Sequence, residues 1–118
     1  MKNFYYLETC STCKRIAEEL DLGNEVTRRE IKSAPPTAEE IDRIASKAGS
    51  YEAVFSKRAM KYRALGLHEK TLSEQDYRKH LTEEYTFLKR PVLETEETAV
   101  AGNSKKAVTE MKRLLSAK

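Results

Sequence analysis

The pattern of apolar and polar residues changes along the chain from strand-like to helix-like periods. Residues 2–8 are rich in aromatic side chains and predict a buried strand. From Thr9 a turn leads into a helix with apolar residues on one face, and Gly23 is expected to end it. Residues 25–31 alternate and predict a second strand, parallel to the first across this helix. The chain therefore begins with a βαβ unit.

The middle of the chain, about residues 37–83, is predicted to be almost entirely helical. Pro35-Pro36 breaks the preceding segment, and two capping boxes open helices, one at Thr37 and a weaker one at Ser73. Shorter helical pieces are expected between them, and Gly66 closes one of these. This block predicts a helical insertion between the βαβ unit and the last third of the chain.

The last third predicts two short strands and a helix. Residues 91–93 and 98–101 have strand-like composition and flank an acidic turn at 94–97, so they are expected to pair as a hairpin. A helix from Ser104 carries apolar residues at helical spacing and should cover the sheet. The order βαβ, helices, ββα indicates an α/β fold with a mixed sheet in one domain spanning residues 1–118.

Composition excludes several function classes. The 22 Lys and Arg against 19 Asp and Glu give a net charge of +3, and no basic block is long enough to predict a direct nucleic-acid surface. The apolar run at the start is shorter than the core of a signal peptide, and no later run has membrane-spanning length. We therefore expect a cytoplasmic protein without a membrane partner.

The cysteine pair is the first candidate for chemistry. Cys10 is predicted at the first turn of a helix, where free backbone N–H groups and the helix dipole lower a thiol pKa, and Lys14 and Arg15 follow one turn later. Cys13 can attack a mixed disulfide formed at Cys10 and leave an internal bridge. A C-x-x-C motif at a strand–helix junction is typical of a redox pair.

Two other interpretations of the cysteines are a partial zinc site and an incidental pair. Zinc would need two more ligands, and the only histidines, His68 and His80, lie outside finger spacing. Neither histidine is expected to be catalytic, and no metal or bound cofactor is predicted.

Arg90-Pro91, just before a predicted strand, is the second candidate. Proline at such a position often takes the cis form in a tight turn, and in a thioredoxin-like sheet this turn packs beside the helix that bears the nucleophile. Arg90 would then enter the site and bind an oxyanion bidentately. The other interpretation is a solvated arginine before a strand.

The order of motifs resembles the arsenate reductase/Spx (ArsC-like) family nearly end to end. The resemblance rests on the cysteine at the helix start, Ser56-Lys57-Arg58 with Tyr62-Arg63-Ala64-Leu65-Gly66-Leu67, and Leu88-Lys89-Arg90-Pro91-Val92-Leu93. It implies a thioredoxin-like fold with an inserted helical subdomain. It also places Cys10 on the nucleophilic cysteine, Arg58 on the arginine of an Asn-Thr-Arg segment, and Arg90 on the arginine of an Arg-Pro element.

The sequence departs from the glutaredoxin-coupled arsenate reductases at two motifs. Those enzymes carry a Cys-Gly-Thr-Ser-Arg type segment where this chain has Cys10-Ser11-Thr12-Cys13. They also carry a third arginine where this chain has Gly102-Asn103-Ser104. Without Lys105 or Lys106 as a substitute, a lost charged contact would weaken oxyanion binding by about 1.5–3 kcal/mol. The C-x-x-C form looks like the Spx branch, redox-sensing regulators that bind the α-subunit of RNA polymerase.

Two functions follow from the resemblance. The first is a thiol-dependent reductase of the arsenate reductase type, in which Cys10 attacks, Cys13 resolves, and Arg58 and Arg90 hold an oxyanion or disulfide substrate. Its co-substrate would be glutathione with glutaredoxin, or the thioredoxin system. The alternative is an Spx-like regulator whose oxidised pair changes its affinity for the RNA polymerase α-subunit.

Overall fold

A four-stranded mixed sheet forms the centre of the fold. The structure is a computed structural model that describes residues 1–116, and the last two residues of the predicted domain lie outside this range. The sheet order is β2-β1-β3-β4, with β2 parallel to β1 and both hairpin strands antiparallel to their neighbours. The strands are β1 (Asn3–Tyr6), β2 (Thr27–Glu30), β3 (Val92–Glu94) and β4 (Ala99–Ala101). The predicted βαβ unit and hairpin are both confirmed.

Within residues 1–116, five α-helices surround this sheet. Both predicted capping boxes are formed, by Thr37 with Glu40 and by Ser73 with Asp76, so the helix starts follow from local hydrogen bonding. Among residues 1–116, no helix combines the length and apolar character needed to cross a membrane. The helices are α1 (Ser11–Leu20), α2 (Ala38–Ala48), α3 (Met60–Ala64), α4 (Glu74–Glu83) and α5 (Lys105–Ser116).

Two apolar clusters pack on opposite faces of the sheet because neighbouring strand residues point in opposite directions. Tyr5 faces the cluster built mainly from α2, α4 and the segments around Phe55 and Phe87. Phe4 faces the cluster built mainly from α1, α5 and Val26, the residue before β2. The helical insertion therefore covers one face, and α1 and α5 cover the other.

The sheet register brings the two candidate motifs together. Tyr5 on β1 lies opposite Val92 on β3 in an antiparallel pair. The end of β1 therefore lies beside the beginning of β3. As a result, the loop that leads to Cys10 and the Arg90-Pro91 segment lie at the same end of the sheet, although Cys10 and Arg90 are 80 residues apart in sequence.

Two local expectations were wrong. Helix α1 ends before Gly23, because Asp21 adopts a left-handed conformation (φ 52°) and caps the helix at Leu20. Glu94 was placed in an acidic turn, but it is the last residue of β3 and is completely buried. Its carboxylate accepts hydrogen bonds from Arg43 and Lys47, which makes burial of the charge feasible.

Candidate active site

Cys10 occupies the N-cap position of α1, immediately after the loop that follows β1. Its carbonyl accepts the Lys14 N–H at 3.2 Å, which closes the first helical turn. The thiol therefore lies at the end of the helix where free N–H groups point outward. Partial burial raises the pKa of Cys10, but hydrogen bonds from the backbone and thiol of Cys13 and from the Thr12 backbone, with the charge of Arg90, outweigh it and lower the pKa.

Cys13 lies directly behind Cys10 in the protein interior, with 1% of its surface exposed. Burial, together with the neighbouring Cys10 sulfur, raises its pKa to about 11, against the lowering effects of the Leu7 backbone and of Arg90. Both cysteines are free thiols. At neutral pH the pair therefore consists of one thiol that ionises readily and one buried thiol that keeps its proton.

Backbone pairing holds the segment before α3 against the segment before β3. Phe55 and Leu88 form an isolated antiparallel bridge. The Ser56 N–H donates to the Phe87 carbonyl at 2.6 Å, and the Lys89 N–H donates to the Val54 carbonyl at 2.9 Å. This pairing places the loop that carries Arg58 beside the segment that carries Arg90.

An open groove of about 760 Å³ lies at this junction, and Cys10, Arg58 and Arg90 all line it. Arg90 is half-buried and donates from Nη1 to the Thr86 carbonyl at 3.3 Å, and the Arg90-Pro91 peptide bond is cis. The volume falls within the range of about 300–1,000 Å³ typical of small-molecule sites. The structure thus brings together three of the residues predicted for the site.

The groove carries positive charge that protein carboxylates do not neutralise fully. Lys57, at one side, forms an ion pair with Glu52 at 2.6 Å. Among residues 1–116, neither Arg58 nor Arg90 forms an ion pair with a carboxylate. Two guanidinium groups that have no carboxylate partner in the described part of the chain make the groove a favourable place for an anionic group.

Residues 102–104, between β4 and α5, line another part of the groove. The Gly102 N–H donates to the Pro91 carbonyl at 2.9 Å, and the positive φ of 111° at Gly102 favours glycine there. Asn103 and Ser104 line the groove next to it. Lys105 and Lys106, the two lysines that could replace the third arginine, do not line the groove.

The two histidines lie away from this groove. His68 is close to Glu69 (3.7 Å), and the ring of His80 packs edge-on against Phe87 at 5.5 Å. Within the described part of the chain, no group of three or more Cys, His, Asp or Glu side chains is arranged to hold a metal ion.

Lys89 is a groove residue that the sequence interpretation did not select. The sequence feature that could have indicated Lys89 is its position next to Arg90. A lysine beside an arginine is, however, also common on ordinary protein surfaces. Ser50 and Ala53, which also line the groove, carry no comparable sequence signal.

The sequence model of the ArsC family matches residues 5–111. The chain belongs to the ArsC family. The match includes both cysteines and the Arg58 and Arg90 segments. Among curated protein sequences, none matches this chain significantly.

Solved structures of ArsC-like proteins share the fold of this chain. A Bacteroides fragilis protein described as ArsC-family related is 26% identical, with a TM-score of 0.79, and the alignment covers 93% of this chain and 96% of that one. A possible arsenate reductase from Streptococcus mutans is 29% identical, with a TM-score of 0.72 and coverage of 94% and 97%. The arsenate reductase from Vibrio cholerae is 20% identical, with a TM-score of 0.76 and coverage of 93% and 96%. The predicted thioredoxin-like α/β fold is confirmed.

Proposed function

We propose that this ArsC-family protein is a thiol-dependent reductase in which Cys10 is the nucleophile and Cys13 the resolving thiol. The observation that carries the proposal is the pairing of an ionisable Cys10 with a buried, protonated Cys13 beside two arginines that have no carboxylate partner among residues 1–116. Arg58 and Arg90 hold the negative charge of an oxyanion or a disulfide substrate. No cofactor is bound in this mechanism, and an external thiol restores the pair.

With a disulfide substrate, the Cys10 thiolate attacks one sulfur and expels the other as a thiolate. The expelled thiolate takes up the proton of Cys13, and Cys13 attacks the Cys10 sulfur. This attack releases the second substrate thiolate and leaves a Cys10–Cys13 disulfide. The substrate gains two electrons and the cysteine pair loses two. Glutathione with glutaredoxin, or thioredoxin, reduces the protein disulfide and completes the cycle.

With arsenate, the Cys10 thiolate displaces an oxygen from arsenic, and that oxygen leaves as water after protonation. Attack on the Cys10 sulfur by Cys13, or by glutathione, forms a disulfide and leaves the bonding electron pair on arsenic, which departs as arsenite. The net reaction oxidises two thiols and reduces As(V) to As(III). Arg58 and Arg90 supply charge-assisted hydrogen bonds to the oxyanion. The third arginine is replaced by Asn103, which favours a disulfide over arsenate as the better substrate.

Steady-state turnover tests the proposal with arsenate and a small disulfide in parallel. Each substrate is offered with the glutathione–glutaredoxin system and with the thioredoxin system. We expect turnover with at least one substrate, its loss in Cys10→Ser, and its retention in Ser11→Ala, a matched change at the next, exposed residue. Absence of turnover above the Cys10→Ser background with both substrates contradicts the proposal.

The alternative is an Spx-like redox regulator in the cytoplasm. Its specific support is Cys13, because an ArsC-type cysteine with a buried partner three residues later can act as a switch without a substrate. Its partner would be the α-subunit of RNA polymerase. A pull-down with the carboxy-terminal domain of this α-subunit, using reduced and oxidised forms of this chain, discriminates between the two functions. Binding that depends on oxidation, together with no reductase turnover, would favour the regulator.

A further inference from the structure

The loop that presents Cys10, residues 7–9, is joined to the rest of the protein through Leu7, which packs against the core, and through Glu8. It leaves the sheet after Tyr6, and its internal hydrogen bond joins the Cys10 N–H to the Leu7 carbonyl at 3.0 Å. Glu8 and Thr9, between these residues, are exposed. The Glu8 N–H, however, donates to Oε2 of Glu30 at 3.0 Å. This bond connects the middle of the loop to a side chain on the neighbouring strand.

Glu30 is itself held firmly by the turn that follows β2. It is the last residue of that strand. Its second oxygen, Oε1, accepts the N–H groups of Lys32 at 3.0 Å and Ser33 at 2.7 Å, and the Ser33 hydroxyl at 2.8 Å. The carboxylate therefore bridges two loops, with one oxygen for each.

The charge state of Glu30 does not vary under physiological conditions. Hydrogen bonds from the Glu8 backbone and then from Ser33 lower its pKa to about 2. The carboxylate is therefore ionised, with both oxygens able to accept, throughout the pH range in which cysteine thiols titrate.

We propose that Glu30 is a positioning residue of the active site, which fixes the Cys10 loop through the Glu8 N–H. The proposal deepens the proposed reductase function and rests on it. The loop matters because the Leu7 backbone lowers the pKa of the Cys13 thiol, and the Thr12 and Cys13 backbones lower the pKa of the Cys10 thiol. These contacts require the loop and the first turn of α1 to keep a fixed relative position. When Glu30 releases the loop, they weaken and the Cys10 thiolate loses support.

Positioning and direct charge predict opposite effects on Cys10. Glu30 is an anion, so if it acted on Cys10 through its charge, its neutralisation would lower the Cys10 pKa and speed its reactions. If Glu30 acts through the loop, neutralisation raises the Cys10 pKa and slows them. The sign of the change therefore separates the two effects.

Three variants isolate the bridge. In Glu30→Gln the single amide oxygen can serve only one of the two loops, and the amide nitrogen then faces N–H donors on the other side. Glu30→Asp keeps the charge but is one methylene too short to reach both loops. Ser33→Ala, the matched control, removes one bond from Oε1 and leaves the Oε2 bond to Glu8 intact.

The measurement is the rate of iodoacetamide alkylation of Cys10 against pH, followed by peptide mass spectrometry, with a thermal melt of each variant. We expect Glu30→Gln and Glu30→Asp to raise the Cys10 pKa and slow alkylation at pH 7 by about threefold or more, since thiolate fraction sets the rate. Ser33→Ala should retain the parent profile even if its melting temperature falls.

An unchanged or lowered Cys10 pKa in folded Glu30→Gln overturns the proposal. If Glu30→Gln does not fold, Glu30→Asp decides between the two effects. Because this variant keeps the charge, a pure charge effect predicts the parent Cys10 pKa, and that result would also overturn the proposal. Equal slowing in Ser33→Ala would also overturn it, because general loosening would then explain the result. Alkylation needs no substrate, so failure of the reductase assay in the parent protein is a separate outcome.

Discussion

Replacing Glu94 by glutamine tests how the sheet accommodates a buried charge. Glu94 is completely buried, and its two oxygens accept hydrogen bonds from Asn3, Tyr5, Arg43 and Lys47 at 2.6–3.0 Å. Glutamine has the same shape without the charge, and its amide nitrogen must face groups that are themselves donors. Arg43 and Lys47 would then lose their buried counterion.

The pKa of Glu94 sets the size of the effect. Burial raises this pKa, but the hydrogen bonds from Arg43, Asn3 and Lys47 outweigh burial and lower it from 4.5 to about 2. At about 1.4 kcal/mol per pKa unit, this lowering of the pKa corresponds to about 3 kcal/mol in the free energy of unfolding. Removal of one partner from a buried ion pair typically costs about 3–5 kcal/mol. We expect the lower end, because the Arg43 side chain is 37% exposed and remains partly hydrated.

The same shift fixes the pH dependence. Because the folded-state pKa of Glu94 lies below its ordinary value, its contribution is complete above about pH 4.5 and is lost as the pH falls towards 2. The parent protein should therefore lose stability in this window. Glu94→Gln should lose correspondingly less there, because it has no carboxylate at this position to protonate.

Urea unfolding at pH 7 and pH 3 measures both effects. We expect Glu94→Gln to lose about 3 kcal/mol at pH 7, or about 12 °C in Tm for a chain of this size. Glu96→Gln is the matched control, because its side chain is 73% exposed and the change should cost less than about 0.5 kcal/mol. A loss below about 1 kcal/mol in Glu94→Gln, or the same acid sensitivity as the parent, would refute the reasoning.

Three further predictions concern the site and its support. Arg90→Ala should raise the pKa of Cys10, whereas Arg113→Ala, which removes an exposed arginine on α5, should not. An alkylation profile that Arg90→Ala leaves unchanged would show that Arg90 does not stabilise the thiolate. Mild oxidation should consume both thiols in an intramolecular Cys10–Cys13 disulfide, and intermolecular dimers or sulfinic acid would contradict this. Phe55→Ala should lower the free energy of unfolding in urea by about 3–5 kcal/mol, because Phe55 is 1% exposed and the ring centroids of Tyr77 and Phe87 lie 4.9 Å from its own. A loss under about 1 kcal/mol would contradict this prediction.

Features that depend on neighbouring residues in sequence could be predicted. The capping boxes at Thr37 and Ser73 set two helix starts through bonds that span three residues, so the sequence specifies them directly. Cys10 at the N-cap of α1 followed from the junction of an aromatic strand with a helical period. The pairing of β3 with β4 followed from two short strands on either side of a turn.

Features that depend on distant partners could not be derived from local pattern. Glu94 looked like part of an acidic turn, because its partners Arg43 and Lys47 are about 50 residues away and nothing near it signals a buried charge. Glu30 likewise gains its bond to the Cys10 loop only when β1 and β2 align. The placement of Arg58 beside Arg90 rested on family resemblance, since the backbone pairing that joins them has no sequence signature.

Trapping of the intermediate tests the central claim most directly. Parent protein and Cys13→Ser are each mixed with glutathione disulfide without a recycling system, and intact and peptide mass spectra are recorded over time. We predict that Cys13→Ser accumulates a stable glutathione adduct on Cys10, whereas the parent passes to a Cys10–Cys13 disulfide and releases the second glutathione. An adduct that persists equally in both proteins, or its absence from Cys10 in Cys13→Ser, would contradict the account.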